Sequence, residues 1–142
     1  MDLKEIKQVL REKGPDLFRQ YDVDLAYLFG SAARDRLRER SDVDIAIRFK
    51  PSLPKDRYFY NLVRLESALI RLVPRKIDLA ILNFNDALLR YEVIRNGVVL
   101  YSADEEARAL FHIRTYRDYD DFCHAQNFYV EAMRQRHLGE NS

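Results

Sequence analysis

Gly30-Ser31 and, after ten further residues, Asp42-Val43-Asp44 are the residues of this chain whose types and spacing could do chemistry. The glycine and serine open a turn directly after an apolar run, Val23 to Phe29, and the two aspartates open the next one, Ile45-Ala46-Ile47. A further carboxylate follows in Lys76-Ile77-Asp78-Leu79-Ala80-Ile81. Residues one apart on a strand share a face, so Asp42 and Asp44 would converge on one point. Asp78, on a strand expected beside theirs, would complete the cluster. Clustered carboxylates can hold a pair of divalent ions roughly 3.5–4 Å apart, which clamp both the attacking and the leaving oxygen of an in-line displacement. Mg²⁺ suits such a site because it takes hard oxygen ligands and keeps waters and substrate phosphates in its shell. The turn supplies the complementary half. Gly30 lets a phosphate approach the backbone closely, and Ser31 with the N–H groups of a following helix can hold it. Arg34 would add a cation to a leaving pyrophosphate. The chemistry this equipment suits is metal-dependent transfer of a nucleotidyl group, with Asp78 as metal ligand or proton acceptor.

The elements that must position these groups can be read from periodicity. Leu3, Ile6, Val9 and Leu10 recur at helical spacing, and Gly14-Pro15 is expected to end that helix. Strands are expected over Val23–Phe29, about Val43–Phe49, about Lys76–Leu82 and Val98–Tyr101. Ser31 stands where a cap belongs, with a short helix over 32–39. Residues 56–72 read as an amphipathic helix with Phe59, Leu62, Val63, Leu69 and Ile70 inward. Another helix, about 86–95, is capped by Asn83 or Asn85 and closed by Asn96-Gly97. Residues 103–137 read as one long helix or a broken pair, rich in Tyr and Phe. Strands alternating with helices in this way imply an α/β (α+β) fold, a small mixed sheet with flanking helices. The core is complete by residue 102, so 1–102 is expected to form the catalytic unit. Residues 103–142 form a C-terminal helical extension of the same domain, the natural partner surface.

Composition narrows the class. At 142 residues there is room for one domain with a real core. Hydrophobic residues at 47% and charged residues at 33% argue for a folded globular protein rather than a disordered one. The net charge of +1 gives no global pull toward nucleic acid or anionic membrane, so such binding would have to be local, and direct nucleic-acid binding is not expected. The lone Cys123 forms no internal disulfide and fits a reducing cytoplasm. The N-terminus carries no long apolar stretch, which predicts neither a signal peptide nor a membrane span. His112, His124 and His137 lack zinc-ligand spacing and read as surface or helix-packing residues.

The run Phe29-Gly30-Ser31-Ala32-Ala33-Arg34 through Ser41-Asp42-Val43-Asp44-Ile45-Ala46 resembles the signature of the DNA polymerase β-like nucleotidyltransferase superfamily, and most of all its minimal nucleotidyltransferase (MNT) group. The resemblance covers about residues 20–102. It implies the polymerase β-like fold, nucleotide binding by Gly30, Ser31 and Arg34, and metal binding by Asp42, Asp44 and Asp78. Proteins of this group are commonly antitoxins paired with a HEPN-type RNase toxin. The resemblance therefore also implies Mg²⁺, ATP as substrate, and transfer of AMP to a tyrosine of such a partner. Transfer to a small molecule such as an aminoglycoside, and silencing of the partner by contact alone, are the other readings. One residue departs from the pattern: Asp35 stands where the family commonly has glycine.

Overall fold

The computed structural model describes residues 1–33, 42–84 and 86–140. Four strands, β1 (Val23–Phe29), β2 (Val43–Phe49), β3 (Ile77–Ile81) and β4 (Val98–Ser102), form one mixed sheet in the order β3-β2-β1-β4. β1 runs antiparallel to β2 and to β4, and β2 runs parallel to β3. Parallel strands need a long crossover. Here a 3₁₀ turn (Lys55–Arg57) and helix α2 (Tyr58–Leu72) supply it. Helices α1 (Leu3–Gln20) and α2 cover one face of the sheet, while α3 (Ala87–Asn96) and the first turns of α4 (Glu105–Glu140) cover the other.

Strand alternation divides the core accordingly. Ala26, Leu28, Val43, Ile45, Ile47 and Phe49 meet Ile6, Leu10, Phe18, Leu65 and Leu69 of α1 and α2. On the opposite face Leu25, Tyr27, Ala46 and Leu82 meet Val93 and Ile94 of α3 and Phe111 of α4. Asp44 is in line with Ala46 on this second face, and Asp78 with Ala80.

Three features differ from the sequence expectation. α1 continues through Gly14-Pro15 to Gln20. Proline forfeits one helical hydrogen bond, yet the turns beyond it seat Phe18 in the core, with its ring against Gly14. Burial of a large aromatic outweighs the local break. In α2 the inward residues are Tyr58, Asn61, Leu65 and Leu69, whereas Phe59, Val63 and Ile70 point to solvent. The sequence offers two apolar stripes on that helix, and periodicity alone does not say which is buried. The cap of α3 is Asp86, whose carboxylate accepts from the Leu89 N–H at 3.0 Å. Asn83 instead braces β2, donating to the Phe49 carbonyl and accepting from its N–H. Asn85 and most of the expected helix over 32–39 lie outside the described residues.

α4 is one unbroken helix of 36 residues, about 54 Å long. Its first half packs on α3, where Tyr119 stacks on Tyr91 with centroids 3.6 Å apart. Beyond Cys123 every residue with a described side chain is exposed, including Phe128 at 79% and Tyr129 at 64%. No described helix is long and apolar enough to cross a membrane.

Candidate active site

The topology brings the C-terminal end of β1 beside the N-terminal ends of β2 and β3. Phe29 is the register partner of Asp44, and Asp44 is the register partner of Asp78. Asp44 therefore sits on a central strand between the Gly30 turn and the edge strand that carries Asp78. Residues 30–33 form the turn expected after β1. Gly30 has a φ of 69°, in the left-handed region that only glycine enters at little cost. A Cβ there would collide with the carboxylate of Asp44. The glycine is thus required twice, for its backbone angle and for the space its missing side chain leaves to Asp44.

The electrostatics are those of mutual repulsion. The pKa of Asp44 is raised above the usual carboxylate range, first by burial and then by the charges of Asp78 and Asp42. Asp42 meets one described cation, Lys76, at 3.6 Å, and that lysine is 78% exposed. Lys76 and Asp78 flank Ile77 and so share a face. Sequence reasoning passed over Lys76, although its place two residues before Asp78 already put it on the carboxylate side.

Of the expected site residues, the structure brings Gly30, Asp42, Asp44 and Asp78 together at one end of the sheet, with Ser31 in the adjoining turn. Arg34 and Asp35 lie outside the described residues. Asp78 differs in one respect from an embedded carboxylate: it is exposed, because β3 is an edge strand and helix α3 does not cover that corner. Among the described residues no three His, Cys, Asp or Glu side chains close into a metal cage of their own. The donor set nevertheless fits a hard divalent ion that shares its shell with phosphate oxygens and water. Asp44, set against Gly30, has its pKa raised by burial and by the charges of Asp78 and Asp42, so its ionised form would gain from a nearby cation.

Comparison with known proteins agrees with this arrangement. Residues 4–106 match the family described as polymerase beta, nucleotidyltransferase. The chain belongs to that family. A candidate protein adenylyltransferase of Methanocaldococcus jannaschii is 36% identical over 77 residues, 54% of this chain and 74% of the relative. A crystal structure of a toxin–antitoxin complex with AMP-PNP contains a similar fold, with a TM-score of 0.70 at 22% identity over 87% of this chain and 97% of that one. A complex of the tri-AMPylated Shewanella oneidensis HEPN toxin with its MNT antitoxin gives a TM-score of 0.67 at 22% identity, over 89% and 98% of the two chains.

Proposed function

We propose that this protein is a metal-dependent nucleotidyltransferase that neutralises a HEPN-type RNase toxin by transferring AMP from ATP to one of its tyrosines. The observation that carries the reading is the placement of Asp44. It stands in register between the Gly30 turn and Asp78, where burial and then the charges of Asp78 and Asp42 raise its pKa. The relatives named for adenylyl transfer, and the neighbours solved with AMP-PNP or with an AMPylated toxin, support the choice of donor and acceptor.

In this reading Asp42, Asp44 and Asp78 would hold Mg²⁺, two ions in all, and Gly30, Ser31 and Arg34 would hold the triphosphate. Bound divalent ions supply charge neutralisation at the attacking and leaving oxygens. The tyrosine oxygen forms a bond to the α-phosphorus while the bond to the bridging oxygen breaks. Pyrophosphate leaves toward Ser31 and Arg34, and the tyrosine proton passes to Asp78. Lys76 offsets the charge of Asp42 before nucleotide arrives. Residues 1–102 form the catalytic unit and 103–142 the surface that docks the partner, in the cytoplasm. The uncovered Phe128, Tyr129 and Met133 of α4 support that docking role, since exposed apolar side chains grouped on one stretch of helix mark interaction surfaces. The same surface favours one second reading, silencing by contact alone.

Incubating the co-encoded helical protein with this chain, ATP and Mg²⁺, then mapping modified residues by mass spectrometry, separates the readings. An adenylyl group on a partner tyrosine is the expected result. Binding and silencing without an adduct would establish masking, and modification of an aminoglycoside instead would move the acceptor to a small molecule.

A further inference from the structure

The outer side of α2 carries charge that the whole-chain balance of +1 conceals. Residues 55–76 hold six Lys and Arg against two Asp and Glu, whereas residues 105–140 hold five against seven. Within α2 and its first flank, Arg57, Arg64 and Arg71 recur every seven residues. That spacing is close to two helical turns, so the three guanidinium groups form a row with steps of about 10 Å.

Several described arginines, among them Arg11, Arg114, Arg117 and Arg136, make no ion pair, and the row on α2 shares this property. Arg19, Arg48, Arg108 and Arg134 each pair with a carboxylate, those of Asp16, Asp24, Glu105 and Glu131. Arg57, Arg64 and Arg71 have no ion-pair partner among the described residues. The positions three or four residues from Arg64 that would stabilise it with an acid hold Tyr60, Asn61, Ser67 and Ala68 instead. Tyr60 lies between the first two arginines, 5.3 Å from the Arg57 guanidinium and 4.7 Å from that of Arg64, and so orients both. Past Arg64 the surface dips into a groove of about 380 Å³ between α2 and the end of α1. Two arginines, the hydroxyl-bearing Tyr21 and Ser67, and no carboxylate line it. Round the helix from the row, on the next face, lies the stripe of Phe59, Val63 and Ile70, in which Phe59 is 76% exposed and Glu66 falls between Val63 and Ile70.

A row of unpaired guanidinium groups beside a row of exposed apolar side chains matches one kind of polymer well. Single-stranded nucleic acid presents a line of phosphates and, next to it, unstacked base faces. Arginine forks take phosphate in a bidentate manner, and aromatic side chains accept bases with little sequence preference. An acidic peptide would satisfy the charges but has no reason to lay flat rings on Phe59. A duplex would keep its bases from that stripe. We propose that the outer face of α2 is a binding surface for single-stranded nucleic acid, with Arg64 and Arg71 gripping phosphate in the groove and Phe59 stacking a base. The surface uses none of the residues of the carboxylate site, so it stands or falls separately from the transfer reaction.

The test is fluorescence anisotropy with end-labelled twelve-nucleotide oligouridylate and oligothymidylate and the full chain, from 25 to 200 mM salt. Binding should weaken with salt at a logarithmic slope of about −2, the value for three phosphate contacts on a single strand. Arg64→Gln/Arg71→Gln should lower affinity at least tenfold and bring the slope to about −1 or shallower. Phe59→Ala should weaken binding about tenfold with the slope unchanged. Arg117→Gln, on α4, should change neither, and circular dichroism should show each variant folded. Absence of binding at 25 mM salt, or wild-type affinity in the double arginine variant, would overturn the proposal. A duplex of equal length that binds more tightly, or polyglutamate that competes as well as the oligonucleotide, would also overturn it by assigning the row to another polyanion.

Discussion

The two ends of the β1–β2 pair are built from the same residue types and treat charge in opposite ways. At one end Asp24 of β1 meets Arg48 of β2 through two hydrogen bonds, 2.9 and 3.2 Å, and both side chains are less than a fifth exposed. Nearby, Arg90 donates to the carbonyls of Leu82 and Asn83 and its guanidinium lies 5.9 Å from the Phe111 ring. The charges of Asp24, Arg48 and Arg90 are answered inside the protein. At the other end, about 13 Å along the strand, Asp42, Asp44 and Asp78 face one another, and the described cation beside them is an exposed lysine. The first end ties the two strands together. The second carries repulsion that costs stability, and in the proposed reading it receives a metal and a nucleotide.

This contrast can be broken first at the carboxylate end. Asp42→Asn with Asp44→Asn should lower nucleotidyl transfer by at least a thousandfold while the unfolding transition stays cooperative, as single-turnover assays and chemical denaturation would show. Gly30→Ala should follow in size, because it adds left-handed backbone strain of about 1–2 kcal/mol and displaces the Asp44 carboxylate. Both transfer and stability should fall.

At the opposite end the expected losses are in stability alone. Asp24→Ala leaves the Arg48 side chain, 18% exposed, without its carboxylate and should cost about 2 kcal/mol in urea unfolding, below the range for a fully buried pair. Transfer per folded molecule should be unchanged. A loss of transfer without a loss of stability would mean that the two ends are not functionally distinct.

A finer test uses the sign of the pKa shift at Asp44. Its folded-state pKa lies above the unfolded value, so the folded protein holds the proton longer. The associated stabilisation is present at acid pH and is lost as pH rises through the folded pKa. Asp44→Asn, which never ionises, should therefore melt higher than wild type at neutral pH, with the difference shrinking as pH falls toward 4. An ordinary paired aspartate would give the opposite sign. The smallest effect belongs to His112, which Tyr27 contacts through its hydroxyl. Burial, then the charge of Arg108, lowers the pKa of His112. Wild type should lose stability as pH falls below about 6.5, the ordinary histidine value, and His112→Gln should flatten that limb.

How much of this could be read beforehand follows from which forces are local. The strands were legible because apolar runs bounded by Gly30, Asp42 and Pro51 have few alternatives. The carboxylate cluster was legible because a one-residue gap on a strand fixes a shared face. The continuation of α1 through Pro15 was not, since it depends on where Phe18 finds a pocket. The inward face of α2 was legible only in part: Leu69 was expected inside and is, but Leu65 competes with Val63 and Ile70 on equal terms until the sheet chooses. The partnership of Gly30 with Asp44 was hidden for a related reason. The glycine signalled a turn, but that its empty side holds a carboxylate depends on the register of β1 with β2.

The central claim is that the carboxylate end exists to receive a metal–nucleotide complex, and titration calorimetry with ATP tests it most directly. Wild type should bind ATP with Mg²⁺ present and bind it at least tenfold more weakly in excess chelator, while Asp42→Asn/Asp44→Asn should lose the metal-dependent part entirely. Equal ATP affinity in all three conditions would contradict the account.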